Sequence, residues 1–292
     1  MACTLEYLSA TGWQYCLEGF LRRFQQEKHC PCCGGRLSRS VDRKFFYTLE
    51  CCGNCQILYR YPFDSPERMW RFYQQEYSQG GLTTELPTQA ELKRLLKENF
   101  LGTSKDFSQV IAILKALDLA PGARLLDYGA NWGYGTVQLQ KAGYRTEAFE
   151  ISKPRAEFGR NLGLEIQTDL AKIQGPFDGI YSGHVLEHVP NPLASLQQQL
   201  DLVLPGGFII AHTPNGSQER ISCSFPSFHK HWGKVHPVLL GAEFIQRNFS
   251  GHPCYLSSGN DLTALQKWSQ AKSSTGDLDG AEILIIVKKA IS

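Results

Sequence analysis

The order of apolar runs predicts an α/β protein built on a parallel sheet, preceded by a small cysteine-rich module. Three observations carry this. From residue 123 onward, short β-type runs alternate with helical stretches, the pattern of parallel strands joined by covering helices. A glycine-rich turn follows the first of those runs. Six of the ten cysteines fall between Cys30 and Cys55, in two tight groups.

The predicted strands are ARLLDYG, RTEAFEI, LEIQTD, FDGIYSG and GFIIAHTP, with helical stretches around TVQLQKAG, PRAEFGRNLG and PLASLQQQLDLVL between them. PCYLSS, a short helix over 262–271 and the strand EILIIVKK close the chain. Upstream, 4–27 reads as a helix with an apolar stripe, FFYTLE and ILYRY read as β-like, and 65–77 reads as helical. The Gly/Thr/Pro-rich stretch 79–88 is taken as a connector. The division expected is therefore 1–78 and 79–292. The second part holds a helical lead-in over 90–119 interrupted near Gly102, a sheet core over 123–215 and an aromatic, His-rich segment over 216–254.

Composition bounds the function without naming it. A formal net charge of +2, with dispersed basic residues, gives no positive case for nucleic acid or an anionic membrane. No apolar run approaches the ~20 residues that span a bilayer, and 1–20 lacks the apolar core of a signal peptide. A cytoplasmic protein is expected. In a reducing compartment, clustered cysteines are metal ligands more often than disulfides.

The chemistry-bearing stretch is LLDYGANWGYGT, 125–136. An apolar strand ends in Asp127, and Gly129, Gly133 and Gly135 bracket a turn into a helix. Such a turn suits a ligand bound beyond the carboxyl end of a parallel strand. Its spacing, D-x-G-x-x-x-G-x-G, is neither the dinucleotide fingerprint nor a P-loop. A carboxylate ahead of the turn suits a ligand carrying an ammonium or sulfonium better than a pyrophosphate. The next strand ends at Glu150, where an acid accepts hydrogen bonds from ribose hydroxyls in nucleotide-binding sheets. The third ends at Asp169, which either meets an adenine amine or caps the following helix.

The pairs Cys30/Cys33 and Cys52/Cys55 have the spacing of two knuckles presenting four tetrahedral ligands to Zn²⁺. Cys32 and Cys51 leave the register open, and Gln56 stands where a Gly often follows the second knuckle. Buried reduced cysteines or a redox pair are the other readings.

The stretch 125–215 resembles class I S-adenosylmethionine-dependent methyltransferases, in particular the group related to ubiquinone-pathway O-methyltransferases. LLDYGANWGYG resembles their first motif, FDGIYSGHVLEHVPNP their fourth-strand motif, and LVLPGGFIIAHTPN the approach to their fifth strand. CQILYRYPFDSPERMWRFYQQEYS resembles a zinc-binding segment preceding many bacterial members. The resemblance implies a Rossmann-like seven-stranded sheet with an N-terminal zinc ribbon, using S-adenosylmethionine and a structural Zn²⁺. Asp127, Gly129, Ala130, Asn131 and Gly133 would then cradle the methionine part, and Glu150 with Ile151 would hold the ribose. Asp169 and Leu170 would lie near the adenine, and Gly183 and His184 beneath the sulfonium. Trp132 departs from the family's small or polar residues and packs either over the cofactor or against a helix.

The acceptor should approach past the fourth strand, which makes His188 the candidate general base; its other reading is a ring bonded to backbone that orders the loop. His229, His231, Trp232 and His236 make 216–254 either an acceptor-binding lid or a packed aromatic loop. The function expected is methyl transfer to a small-molecule or carrier-linked acceptor, with O-methylation favoured and the oligomeric state open. Two other readings are an RNA methyltransferase whose ribbon grips nucleic acid and an inactive methyltransferase fold serving as a scaffold. The first lacks an Asn-Pro-Pro-Tyr motif, and the intact turn with Glu150 weighs against the second.

Overall fold

The computed structural model describes residues 10–71, 85–259 and 261–291. Its N-terminal part runs α1 (Ala10–Gln25), β1 (Ser38–Lys44), β2 (Tyr47–Cys52), β3 (Leu58–Tyr61) and α2 (Pro66–Arg71). Residues 4–9 of the predicted first helix, 72–77 of the second and 79–84 of the connector lie outside the described residues. The lead-in is two helices, α3 (Gln89–Lys97) and α4 (Ser108–Ala116). Between them Gly102 takes φ +69°, at the predicted interruption.

The alternating part then follows as β4 (Arg124–Tyr128), α5 (Tyr134–Lys141), β5 (Arg145–Phe149), α6 (Lys153–Asn161), β6 (Ile166–Gln167), a 3₁₀ turn (Leu170–Lys172), β7 (Phe177–Gly183), α7 (Pro192–Leu202) and β8 (Val203–Pro214). The predicted strands all form. After β8 come α8 (Gln218–Cys223), α9 (Phe225–His231), β9 (Val238–Leu239), α10 (Ala242–Asn248), β10 (Cys254–Ser257), α11 (Leu262–Lys267), β11 (Ser274–Thr275) and β12 (Glu282–Lys288).

The main sheet has eight strands in the order β11-β10-β12-β8-β7-β4-β5-β6. The seven strands expected are present, and two-residue β11 is added at the edge. From β8 to β6 all pairs are parallel, whereas β12 runs antiparallel between β8 and β10. The chain leaves β4 toward β5 and β6, then returns to β7 on the other side. That reversal opens a crevice at the carboxyl ends of β4 and β7.

Period-two alternation decides the layers. Leu125, Ile210, Leu284 and Ile286 face a core completed by α4, Leu265 and Trp268. Leu126, Ile180, Ile209, Ala211, Ile283 and Ile285 face the other side, against Leu196 and Leu200 of α7 and Phe244 and Ile245 of α10. The ribbon enters this second core through Ile57, Tyr59 and Tyr61, with Cys30, Cys52 and Cys55.

The second sheet, β1-β2-β3-β9, joins three ribbon strands to one from 216–254. That join explains where the His-rich segment goes. Asp42 of β1 accepts hydrogen bonds from Trp232 Nε1 at 2.7 Å and from His229 Nδ1 at 2.7 Å. Arg60, fully buried, donates to Gly233 O at 2.7 Å and pairs with Asp64. Its guanidinium also stacks over the rings of Tyr15 and Tyr47. Among the described residues, no helix is long and apolar enough to cross a membrane.

Because Asp42 satisfies two ring N–H groups at a buried join, Asp42→Ala is expected to cost about 2–3 kcal/mol. Asp42→Asn, which keeps one acceptor, should cost less. Urea unfolding of both variants checks this, and a loss below about 0.5 kcal/mol for Asp42→Ala would show that the join does not depend on this carboxylate.

Candidate active site

The glycine turn is built by close packing. After β4, Gly129 (φ +85°) and Gly133 (φ +88°) take left-handed conformations. A Cβ on Gly129 would overlap Val185, and one on Gly133 would overlap Leu164. Asn131, also left-handed at φ 56°, places its backbone N–H 2.8 Å from Glu150 Oε2. Trp132 is fully buried among Phe100, Tyr134 and Phe158, on the helix side of the turn.

A cavity of about 1260 Å³ opens at these strand ends. Of the residues singled out above, Asp127, Gly129, Ala130, Asn131, Glu150, Ile151, Leu170, Gly183, His184 and His188 line it. Gly133 shapes the turn from behind. The carboxylate of Asp169 accepts from Ala171 N at 3.1 Å, capping the 3₁₀ turn, and Asp169 is not part of the wall.

Two acids dominate one end. Asp127 is buried and accepts from Thr136 Oγ1 at 2.7 Å. Burial pushes its pKa up to about 6 against that hydrogen bond, and the charge of Glu150 adds to the rise. Glu150 is raised by burial, opposed by the Ser152 N–H, the charge of Arg155 and the Asn131 N–H. Each acid is held by neutral donors and retains lone pairs toward the cavity.

The other end is rich in histidine. His184, left-handed at φ 53°, lies 3.2 Å from Glu187 Oε1 through Nδ1 and 3.3 Å from Glu282 Oε1 through Nε2. The Glu187 hydrogen bond, then that of Glu282, raises its pKa to about 10, so the ring is a cation at neutral pH. Burial would push Glu187 up. The His184 hydrogen bond and the charges of His188 and His184 outweigh it and hold Glu187 at about 2. His188 Nδ1 donates to Val235 O at 2.8 Å, and burial drives its pKa down to about 4. Val235 comes from 216–254, yet no residue of that segment lines the cavity, and two of its rings, His229 and Trp232, are committed to Asp42.

Several wall residues had no local signal. Tyr181, His212 and Glu282 join the wall because β7, β8 and β12 are neighbours, and antiparallel β12 brings its first residue to the carboxyl ends of the others. Arg155 lies one turn into α6, and Tyr134 opens α5.

Cys30, Cys33, Cys52 and Cys55 place their sulfurs within 4.8 Å of one another. The Cys30–Cys55 and Cys33–Cys52 separations are both 3.5 Å, far beyond a disulfide. Four thiolates about 2.3 Å from one Zn²⁺ stand roughly 3.8 Å apart in a tetrahedron, so these residues fit the ion. Cys32 and Cys51 fall outside the cluster. Gln56 takes the left-handed conformation itself (φ 64°), tied by its side chain to Gly53 O.

Comparison with known proteins agrees with this architecture. The family profile described as a methyltransferase domain matches residues 69–266, and the chain belongs to that family. It is 31% identical over 138 residues to the ubiquinone biosynthesis O-methyltransferase of Xanthomonas campestris pv. campestris, covering 44% of this chain and 52% of that protein. To the enzyme of the same name from Xylella fastidiosa it is 34% identical over 105 residues, covering 32% and 43%. The chain thus spans about half the length of the curated relatives it matches. The plantazolicin methyltransferase BamL, solved with a triazolic desmethylPZN analog and SAH, aligns with a TM-score of 0.51 at 10% identity. That alignment covers 76% of this chain and 96% of BamL, and it shows the shared fold.

The sign of the Asp127 shift gives a test. A buried acid raised from its ordinary value near 3.8 to about 6 destabilises the fold at neutral pH, and the penalty vanishes once both states are protonated. Asp127→Asn carries no such penalty. Its stability advantage over the wild type should grow by about 1 kcal/mol between pH 5 and pH 7.5, followed by denaturant unfolding at each pH. A pH-independent difference would place the Asp127 pKa outside that window.

Proposed function

We propose that the protein transfers a methyl group from S-adenosylmethionine to a small-molecule or carrier-linked acceptor, with an acceptor oxygen favoured. The observation that carries this reading is the pair of buried carboxylates, Asp127 and Glu150, at the ends of neighbouring parallel strands around the glycine turn. Both are acceptor-only groups, and the ligand that suits them brings an ammonium to one and a ribose diol to the other. Gly129, Ala130 and Asn131 give the backbone approach for the methionine part, with Gly133 shaping the turn. Ile151 and Leu170 supply apolar wall near the ribose and adenine, and Asp169 acts by capping the turn that carries Leu170. Gly183 and His184 stand at the sulfonium end.

Methyl transfer is an in-line displacement in which the cofactor supplies the reactive carbon and the protein supplies alignment. His188 belongs to the acceptor side. There it is the candidate general base, with its Nδ1 tied to Val235 O and its ring driven toward the neutral form by burial. Cys30, Cys33, Cys52 and Cys55 would hold a structural Zn²⁺ whose chemistry is to staple the ribbon turns together. We read 1–78 as that ribbon unit and 79–292 as the transfer unit, in a cytoplasmic setting.

Calorimetric titration with S-adenosylhomocysteine tests the reading. Micromolar binding is expected, weakened at least tenfold by Glu150→Ala, which removes the ribose acceptor. No heat and no thermal shift with S-adenosylhomocysteine or S-adenosylmethionine would remove the proposal.

A further inference from the structure

Helix α1 is apolar on two sides. Its inner side packs on the ribbon. Tyr15 stacks on Tyr47 at 4.9 Å between ring centroids, and a Cβ on Gly19 would overlap the Tyr47 ring. The outer side carries Leu17, Phe20, Leu21 and Phe24, at the i, i+3, i+4, i+7 spacing that aligns side chains along one helix face. These four are 60%, 38%, 50% and 75% exposed, and Phe46 of the β1–β2 turn, 39% exposed, extends the patch. Phe20 joins the two parts, edge-on to Phe24 and to Phe46 with ring centroids 5.0 Å away in each case. A helix with apolar residues on both sides is ordinarily covered on both. Five contiguous Leu and Phe side chains also differ from the single surface hydrophobics that need no explanation.

The charges around the patch decide what fits it. Glu18 pairs with Arg68, Arg22 with Asp64 and Glu27 with Arg36. Arg23 donates to Phe46 O, and Arg43 to Phe45 O. Among the described residues, α1 thus offers no row of uncommitted cations, the feature by which an amphipathic helix holds an anionic lipid surface. A near-neutral apolar stripe is matched by another of the same kind, and a two-fold axis supplies it from a second copy. The area agrees. At ~200 Å² for a phenylalanine side chain and somewhat less for leucine, the exposed fractions leave about 500 Å² of apolar surface per copy. Two copies cover about 1,000 Å², which at roughly 60% apolar content corresponds to about 1,600 Å² in all, a standard stable interface.

We propose that two copies of this chain associate through the patch, their α1 helices packed antiparallel about a two-fold axis beside Phe20 and Leu21. Leu17 of each copy then packs against Phe24 of the other, and Phe20 and Leu21 of both gather at the axis. The dimer bears on the cleft through α2. Asp64, just ahead of α2, is held by Arg22, and Arg68 within it by Glu18, both from α1. Glu67 and Met69 of the same short helix line the cavity. A second copy seated on α1 braces that wall without entering the cavity, so association is independent of what the cleft binds.

Sedimentation equilibrium of the tag-free, zinc-loaded full chain tests this. A monomer–dimer equilibrium with a micromolar or tighter dissociation constant is expected. Phe24→Asp, at an exposed position, should weaken it at least tenfold, and Leu17→Asp combined with Phe24→Asp should leave monomer. Leu101→Asp, at an equally exposed apolar residue between α3 and α4, should leave the dimer intact. Circular dichroism confirms that each variant is folded. A monomer at every loading concentration would overturn the proposal, as would a dimer that survives the double substitution or one that Leu101→Asp weakens equally. A monomeric wild type that sediments with phosphatidylcholine vesicles, and loses them on Phe24→Asp, would assign the patch to a lipid surface in place of a second copy.

Discussion

Two carboxylates held out of water at adjacent strand ends are the constraint around which the cleft is arranged. The parallel register of β4 and β5 pairs Asp127 with Ala148 and Tyr128 with Phe149, which puts Asp127 near the end of β4 and Glu150 just past the end of β5, two residues further along. Burial makes both ions costly, the charge of Glu150 adds to the cost at Asp127, and a hydroxyl and backbone N–H groups donate to them. The glycines follow from the same constraint. The turn must pass close enough for Asn131 N to reach Glu150, and the packing of Val185 and Leu164 leaves no room for side chains at Gly129 and Gly133. A site built this way loses stability when empty and recovers it from a guest that brings positive charge and hydroxyls, a common trade between activity and stability.

The ribbon is continuous with this arrangement. Its buried cysteines and tyrosines share a core with the sheet, and its knuckles are tied to it by two asparagines. Asn191 Nδ2 donates to Cys32 O at 3.3 Å, and Asn248 Nδ2 donates to Cys55 O at 2.9 Å. The buried charges here fix placement more than they add stability. The attraction and hydrogen bonds between Arg60 and Asp64 outweigh burial and keep both charged, and an arginine with carbonyl and carboxylate partners at set points tolerates one register of β3 against 216–254.

What was legible in the sequence was local. The strands, the turn and the two cysteine pairs are each specified within about ten residues, and each forms where its pattern places it. The cysteine register was not legible, because Cys32 and Cys51 sit one residue from members of the four-sulfur cluster. It is decided by the hairpin, in which Ser38 pairs with Cys52 and Arg39 with Cys51, so that Cys51 and Cys52 point to opposite faces. Asp169 offered two readings with the same local pattern, and its capping bond appears only with the backbone in place. The His-rich segment was the hardest, since the partner of His229 and Trp232 is Asp42, far upstream on another sheet. Nor does any local pattern announce that Glu282 will face His184.

The carbonyls of 231–237 show why the ribbon and the acceptor end form one construction. Going along the chain, His231 O accepts from His236, Trp232 O from Lys44, Gly233 O from Arg60, Val235 O from His188 and Pro237 O from Arg60 N. Three of these five donors belong to the ribbon strands, and the other two are imidazoles at the edge of the cleft. A loop of this length has no helix or strand ladder to satisfy its carbonyls, so its path is set by the donors on either side. The cysteine cluster closes the turns that lead into β1 and β3, those strands carry Lys44 and Arg60, and these hold the carbonyls beside the ones that orient His188 and His236. The ring orientations of His188, in the cleft wall, and His236 beside it are in this way tied to a module whose own residues of note are the four cysteines, and 216–254 packs as the strut between them.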